Sequence, residues 1–258
     1  MGQLFDVTHI LYIVISLLVT VMLWVMAKRC MKTEKQKNRF FFIFSLLTFL
    51  LHISIMWVDF LDDAQAGVAD NILFPIYFCN VSMYLLFILS LVENKKTRLF
   101  RFFAILGAYG GIFGSLISLF YPQYYLGAAS IFQWGVFKSM LSHSTMLVAA
   151  GWLLIGGYFS INIRNVFSYL LGLLFYGAIG VFVNWLFRIN GLYDPNAMYL
   201  SHPPLAEAPF LNAYVISILM CLVMSIGICI YHRSRHAKAD TLDDTPIEQP
   251  TTISSIHR

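Results

Sequence analysis

Long apolar stretches alternate with short polar ones along this chain, and the apolar stretches carry no charged residue. Uncharged runs occupy residues 9–27, 40–58 and 72–92. Crossing about 30 Å of hydrocarbon takes roughly 20 helical residues, so each run predicts one membrane span. A longer uncharged run covers residues 102–137. It breaks at Tyr121-Pro122-Gln123, because proline cannot continue a helix, and a fourth span over 102–120 results. Runs at 139–159, 166–187 and 210–231 complete a set of seven.

Basic residues orient the set. Lys28, Arg29, Lys32, Lys35, Lys37 and Arg39 fill the first connection, and Lys95, Lys96, Arg98 and Arg101 the third. Arg164, Arg233, Arg235 and Lys238 fall on the same side. The other side holds only Lys138 and Arg188, beside the acidic group Asp59, Asp62, Asp63 and Asp70. Basic loops stay cytoplasmic, so the N-terminus is expected outside and the C-terminus in the cytoplasm. Residues 240–258 are polar and aperiodic, and read as a disordered cytoplasmic tail after a membrane domain over 1–239. The N-terminus lacks the features of a cleaved signal peptide, so the first span is expected to remain in the mature protein.

Composition narrows the class. Hydrophobic residues make up 59% of the chain and charged ones 12%, where a soluble domain carries about 25% charged residues. That excludes a soluble enzyme, a disordered chain and a nucleic-acid binder. The expected fold is all-α, a polytopic membrane protein built as a seven-helix transmembrane bundle. Cys30, Cys79, Cys221 and Cys229 all lie outside the outer loops, so no disulfide framework is expected. The fourth span carries Gly107-x-x-Gly110-Gly111-x-x-Gly114, a small-residue face that lets helices approach closely. Packing within the monomer is the first expectation; a homo-oligomer through Gly107, Gly111 and Gly114 is the alternative.

Candidate chemistry comes from polar residues at a common depth. At 1.5 Å per residue, His52 and Cys79 lie about 10 Å below the outer ends of their spans, His143 about 7.5 Å and Asn184 about 6 Å. Polar groups inside spans are expensive and usually functional. A thiol becomes a strong nucleophile when a base takes its proton, imidazole suits that task, and an amide can orient the imidazole or hold an oxyanion. Pro75 places the start of the third helix near Phe74, with Cys79 in its second turn. Metal binding is the rival use of Cys and His, but no metal-ligand spacing occurs in the chain; an ion path would need polar groups through both leaflets.

Several segments resemble a known family. Leu73-Phe-Pro-Ile-Tyr-Phe-Cys79-Asn80, Leu141-Ser-His143, Asn184-Trp185, Asn196-Ala-Met-Tyr-Leu200 and Pro203-Pro204 follow the order and spacing of the YwaF-type integral membrane proteins of bacteria. That family is similar to a metazoan seven-span ether-phospholipid acyltransferase. The resemblance covers residues 40–231 and implies a Cys thioester enzyme acting on outer-leaflet phospholipid acyl chains in a bacterial cytoplasmic membrane. Catalysis would rest on Cys79, His143 and Asn184. Lipid contacts would come from His52, Asn80, Lys138, Trp185, Arg188 and Tyr199, with the 188–209 loop as a cover. The expected partner is membrane phospholipid, with no nucleic acid, metal or cofactor. The alternative is a non-enzymatic lipid- or partner-binding membrane protein whose polar layer holds helices together.

Overall fold

The computed structural model describes residues 2–54, 74–205 and 208–243, with the backbone alone for 235–243. Seven α-helices stand among these residues: α1 (Val7–Cys30), α2 (Glu34–Ile53), α3 (Phe78–Leu91), α4 (Arg98–Phe120), α5 (Trp134–Ile155), α6 (Arg164–Ile189) and α7 (Ala213–Asp243). One 3-10 turn, Ala197–Tyr199, interrupts the strap that joins α6 to α7. Each helix falls on one of the seven uncharged runs. Val7–Cys30, Arg98–Phe120, Arg164–Ile189 and the Ala213–Ser234 part of α7 are each long and apolar enough to cross a membrane. The acidic group 59–70 and the tail from 244 onward lie outside the described residues, and α7 runs past position 239 to Asp243.

Local chemistry sets the helix ends. Thr33 and Gln36 form a reciprocal capping box at the start of α2, satisfying two backbone N–H groups that have no intrahelical acceptor. Thr97 caps α4, which ends at Tyr121 before Pro122, as the run break predicts. The third helix departs from expectation. It starts at Phe78 after Tyr77, about one turn later than Pro75 suggests, so Cys79 sits in its first turn. Residues 74–77 are not helical. The Ile76 carbonyl instead accepts from Met198 N–H at 2.8 Å, and this bond fastens the strap to the entrance of α3.

Successive helices run in alternating directions. His9 at the start of α1 bonds the Leu119 carbonyl at the end of α4. Thr48 in the second half of α2 donates to Thr145 in the middle of α5, while Trp152 late in α5 donates to the Lys37 carbonyl at the start of α2. The starts of α1, α3, α5 and α7 therefore share one end of the bundle with Lys138 and Arg188, here the site end. The basic residues of the first and third connections and Arg164 gather at the opposite end. Helices α4 and α5 pack against each other at the centre, α1 and α2 lean on α5, α3 fills the space between α2 and α4, and α7 packs mainly on α6. Exposed apolar residues such as Leu18, Phe167 and Leu222 cover the outside, a surface suited to lipid.

The glycines of α4 are consumed inside this bundle. A Cβ built on Gly111 would fall 2.6 Å from the Ala150 Cβ of α5, and one on Gly107 would fall 3.3 Å from Leu89 of α3. Gly107, Gly111 and Gly114 are buried, and added Cβ atoms there would meet side chains of α3 and α5. Gly111→Val is expected to lower stability by about 1–3 kcal/mol through overpacking. Thermal unfolding in detergent checks this, and an unchanged midpoint contradicts the packing account.

A second clasp closes the site end. The Asp6 carboxylate accepts from Gln3 N–H, His9 N–H and the Tyr125 hydroxyl. His9 Nε2–H donates to the Leu119 carbonyl, and His9 Nδ1 accepts from Phe5 N–H. The Tyr125 hydroxyl, followed by the backbone donors, lowers Asp6 from its ordinary 3.8 to about 2. A carboxyl depressed by folding contributes stability above its unfolded value and loses it as pH falls through the folded one. The wild-type unfolding midpoint is therefore expected to fall more steeply than that of Asp6→Asn between pH 3.8 and about 2. Parallel curves would contradict the clasp.

Candidate functional site

The site grows from three helix segments and the strap. On α5, Lys138 and Ser142, and Ser139 and His143, are pairs one turn apart, which places the four along one side of the helix. His143 Nδ1 lies 2.7 Å from the Ser139 carbonyl. A carbonyl only accepts, so Nδ1 carries the proton and neutral His143 leaves a lone pair on Nε2. Nε2 is buried and has no hydrogen-bond partner among the described residues. His52, at the end of α2, repeats the pattern. Its ring meets Tyr84 edge-on at 5.6 Å, and its buried Nε2 is also without a partner among the described residues. A buried polar atom left unmatched by the protein is costly, and two of them line one cavity.

Cys79 faces that cavity from the first turn of α3. It is a free thiol that donates to Asn80 Oδ1 at 3.3 Å. A Cβ on Gly114 would come within 3.4 Å of the Cys79 backbone and 3.6 Å of Met146 Cε. Gly114 thus lets the Cys79 turn settle onto α4 beside Met146, one turn beyond His143. The helix start also leaves the first backbone N–H groups of α3 without intrahelical acceptors, beside the thiol.

The cavity encloses about 870 Å³ and is walled mostly by apolar side chains. His52, Cys79, Asn80, Lys138, His143 and Tyr199 all line it. Lys138 is 5% exposed, its ammonium 5.8 Å from the centre of the Tyr124 ring and near enough to act electrostatically on Cys79, His52 and His143. Tyr199 hangs from the strap over the cavity, and burial pushes its phenol above the ordinary value. Six of the nine residues proposed from the sequence therefore meet in one hollow. No three His, Cys, Asp or Glu side chains gather as a metal site among the described residues.

The other three are placed elsewhere. Asn184 does not line the cavity. Its Oδ1 accepts from Ala197 N–H at 2.8 Å and its Nδ2 donates to the Ala197 carbonyl at 3.5 Å. Both ends of its amide hold the strap, a contact separate from the catalytic role expected of it. The hold is consequential because Asn196, Met198 and Tyr199 all take positive φ, a region that non-glycine residues rarely adopt and that surrounding contacts must enforce. Trp185 and Arg188 are exposed on the outside of α6, away from the cavity. Asn184→Leu is expected to cost about 1–3 kcal/mol and to speed thiol labelling of Cys79 as the strap loosens. Unchanged unfolding and labelling would return Asn184 to the chemistry.

Sequence reasoning missed two contributors. Ser139 fixes the His143 tautomer through its backbone, and the only signal was its place four residues upstream. Tyr176 is fully buried and its hydroxyl lies 3.2 Å from Ser82 Oγ, closing the cavity between α3 and α6; in sequence it was one aromatic among many. A family model matches residues 4–231, which reaches all seven described helices and covers every residue of the site. The chain belongs to the TMEM164 family. No curated protein and no solved structure matches it. As a TMEM164-family member with apolar helices long enough to cross a bilayer, it is a membrane protein.

Proposed function

We propose that this TMEM164-family protein is a membrane-embedded enzyme that moves acyl chains between phospholipids through a thioester on Cys79. The observation that carries the reading is the shared cavity. A thiol and an imidazole with a fixed Nδ1–H tautomer and a vacant Nε2 line one largely apolar hollow. The resemblance of the Cys79-Asn80 and Ser142-His143 segments to YwaF-type proteins and their acyltransferase relative supports the same chemistry. The basic connections at the end opposite the site favour that end as cytoplasmic, which supports a site near the outer surface of the membrane, and the YwaF-type resemblance favours a bacterial cytoplasmic membrane.

In the first half-reaction, His143 Nε2 takes the Cys79 proton and the thiolate attacks the carbonyl carbon of a lipid ester. The tetrahedral oxyanion forms beside the N–H groups at the start of α3, which favour negative charge. The ester C–O bond breaks, the leaving alkoxide takes the proton from His143, and a lysolipid departs. In the second half, His143 takes a proton from an acceptor hydroxyl, whose oxygen attacks the thioester carbon. The C–S bond breaks and the proton returns to the thiolate. Lys138, buried beside both groups, holds the lipid phosphate through a charge-assisted contact.

The test is acyl exchange in vesicles, from phosphatidylcholine with an isotope-labelled acyl chain to an unlabelled lysolipid. Labelled acceptor is expected with wild type and not with Cys79→Ser. A second reading, a non-enzymatic lipid-binding bundle, has one observation in its favour: the thiol donates to Asn80 rather than to His143. Absence of exchange by a folded wild type, with Cys79→Ser merely less stable, would favour it.

A further inference from the structure

We infer that the long apolar arm of the cavity, between α6 and α7, is a laterally open slot for one acyl chain of a bilayer lipid, with Gly177 setting its width. The inference rests on the enzyme reading only for what happens to the chain's ester at Cys79.

The slot follows α6 from Leu170 to Val181, eleven residues or about 16 Å at the helical rise. Tyr176, hydrogen-bonded to Ser82, marks the level of the Cys79 turn, so the slot continues past that level toward the opposite end of the bundle. Its wall is broken on the lipid side. Leu174 (65% exposed) and Val181 (62%) on α6, with Tyr214 (74%) and Ile218 (65%) on α7, both line the cavity and face outward. Gly177 lies in the same stretch, and a Cβ added to it would meet nothing within 4 Å. The glycines that serve packing, Gly111 and Gly172, would meet neighbours at 2.6 and 2.5 Å. The space at Gly177 is therefore kept open by the fold rather than filled by it.

Volume and chemistry select the occupant. A cavity of about 870 Å³ lies in the range of small-ligand pockets, and a narrow apolar arm open to the bilayer suits a single acyl chain. The polar groups sit at one place, where Cys79, His52, His143 and Lys138 meet, and the arm leading away from them is apolar. A chain entering between α6 and α7 from the bilayer brings its ester to that polar end without leaving hydrocarbon.

The experiment uses the full chain in phosphatidylcholine vesicles containing phosphatidylcholine with a diazirine near the end of one acyl tail. After photolysis, crosslinks are mapped by peptide mass spectrometry, with exposed Leu18 on α1 as the measure of ordinary annular lipid. The expected result is crosslinking at Leu173, Leu174 and Gly177 well above that at Leu18, reduced about tenfold at Leu173 by Gly177→Trp with the Leu18 signal unchanged. Because the position is open, the unfolding midpoint of Gly177→Trp is expected to match wild type; Leu174→Trp, also at the open edge, replaces it if Gly177→Trp fails to fold. Crosslinking equal to that at Leu18, or undiminished by a folded Trp variant, overturns the slot. Cys79→Ala is expected to label as wild type does. Slot labelling in a wild type that exchanges no acyl chains would retain the slot and reject the enzyme.

Discussion

Cys79→Ala is expected to abolish acyl exchange, leaving the rate of protein-free vesicles, while the unfolding midpoint stays close to that of wild type. The thiol is the nucleophile, and no other Cys lines the cavity. Cys221 and Cys229 lie on α7, and Cys30 ends α1 at the opposite end of the bundle. The side chain lost is small. Its side-chain partner among the described residues is the adjacent Asn80, and Gly114 already brings the α3 backbone against α4, so the fold retains its supports. Exchange measured beside thermal unfolding separates loss of chemistry from loss of structure. A variant that exchanges at the wild-type rate removes Cys79 from the mechanism.

His143→Ala is expected to slow exchange by about 10²–10⁴-fold, the usual worth of a positioned general base. Both half-reactions pass a proton through Nε2, so acylation of Cys79 and turnover of the thioester slow together. Removing the ring frees the Ser139 carbonyl from its side-chain donor but leaves it as a helix acceptor, so the structural loss is modest. Among the described residues Nε2 has no hydrogen-bond partner to lose. A single-turnover measurement of each half checks this. Slowing of one half alone would assign His143 to orientation rather than proton transfer. His52→Ala provides the contrast: its Nε2 faces the same hollow, but its ring packs on Tyr84 of α3.

Much of this was legible in the sequence. Seven uncharged runs gave seven helices because hydrocarbon leaves a backbone few ways to satisfy its polar groups. Depth counting expected His52, Cys79 and His143 in one layer, and all three line one cavity. But His52 is the next-to-last residue of α2 and Cys79 lies in the first turn of α3, so the helix ends rather than a count along unbroken helix bring them together. The entrance to α3 was less legible. Proline favours a helix start, yet the Ile76 carbonyl is committed to Met198 of the strap, a partner about 120 positions away that no local pattern announces. The contacts of Asn184 were hidden for a related reason. An amide near the layer is chemically fit for an oxyanion, but which way it points depends on the strap, and the strap consumes it. Gly114 and Gly177 look alike in sequence; one is a packing contact and the other an open edge, and only the neighbouring helices distinguish them.

The central claim is tested most directly by the mass of the protein itself. The full chain is incubated with a phospholipid of defined acyl composition, and its intact mass is measured before and after neutral hydroxylamine. The account predicts a fraction of molecules heavier by one acyl group, the increment lost with hydroxylamine and mapped to the peptide containing Cys79. Acyl exchange that proceeds with no such adduct, or with the acyl group on another residue, would contradict it.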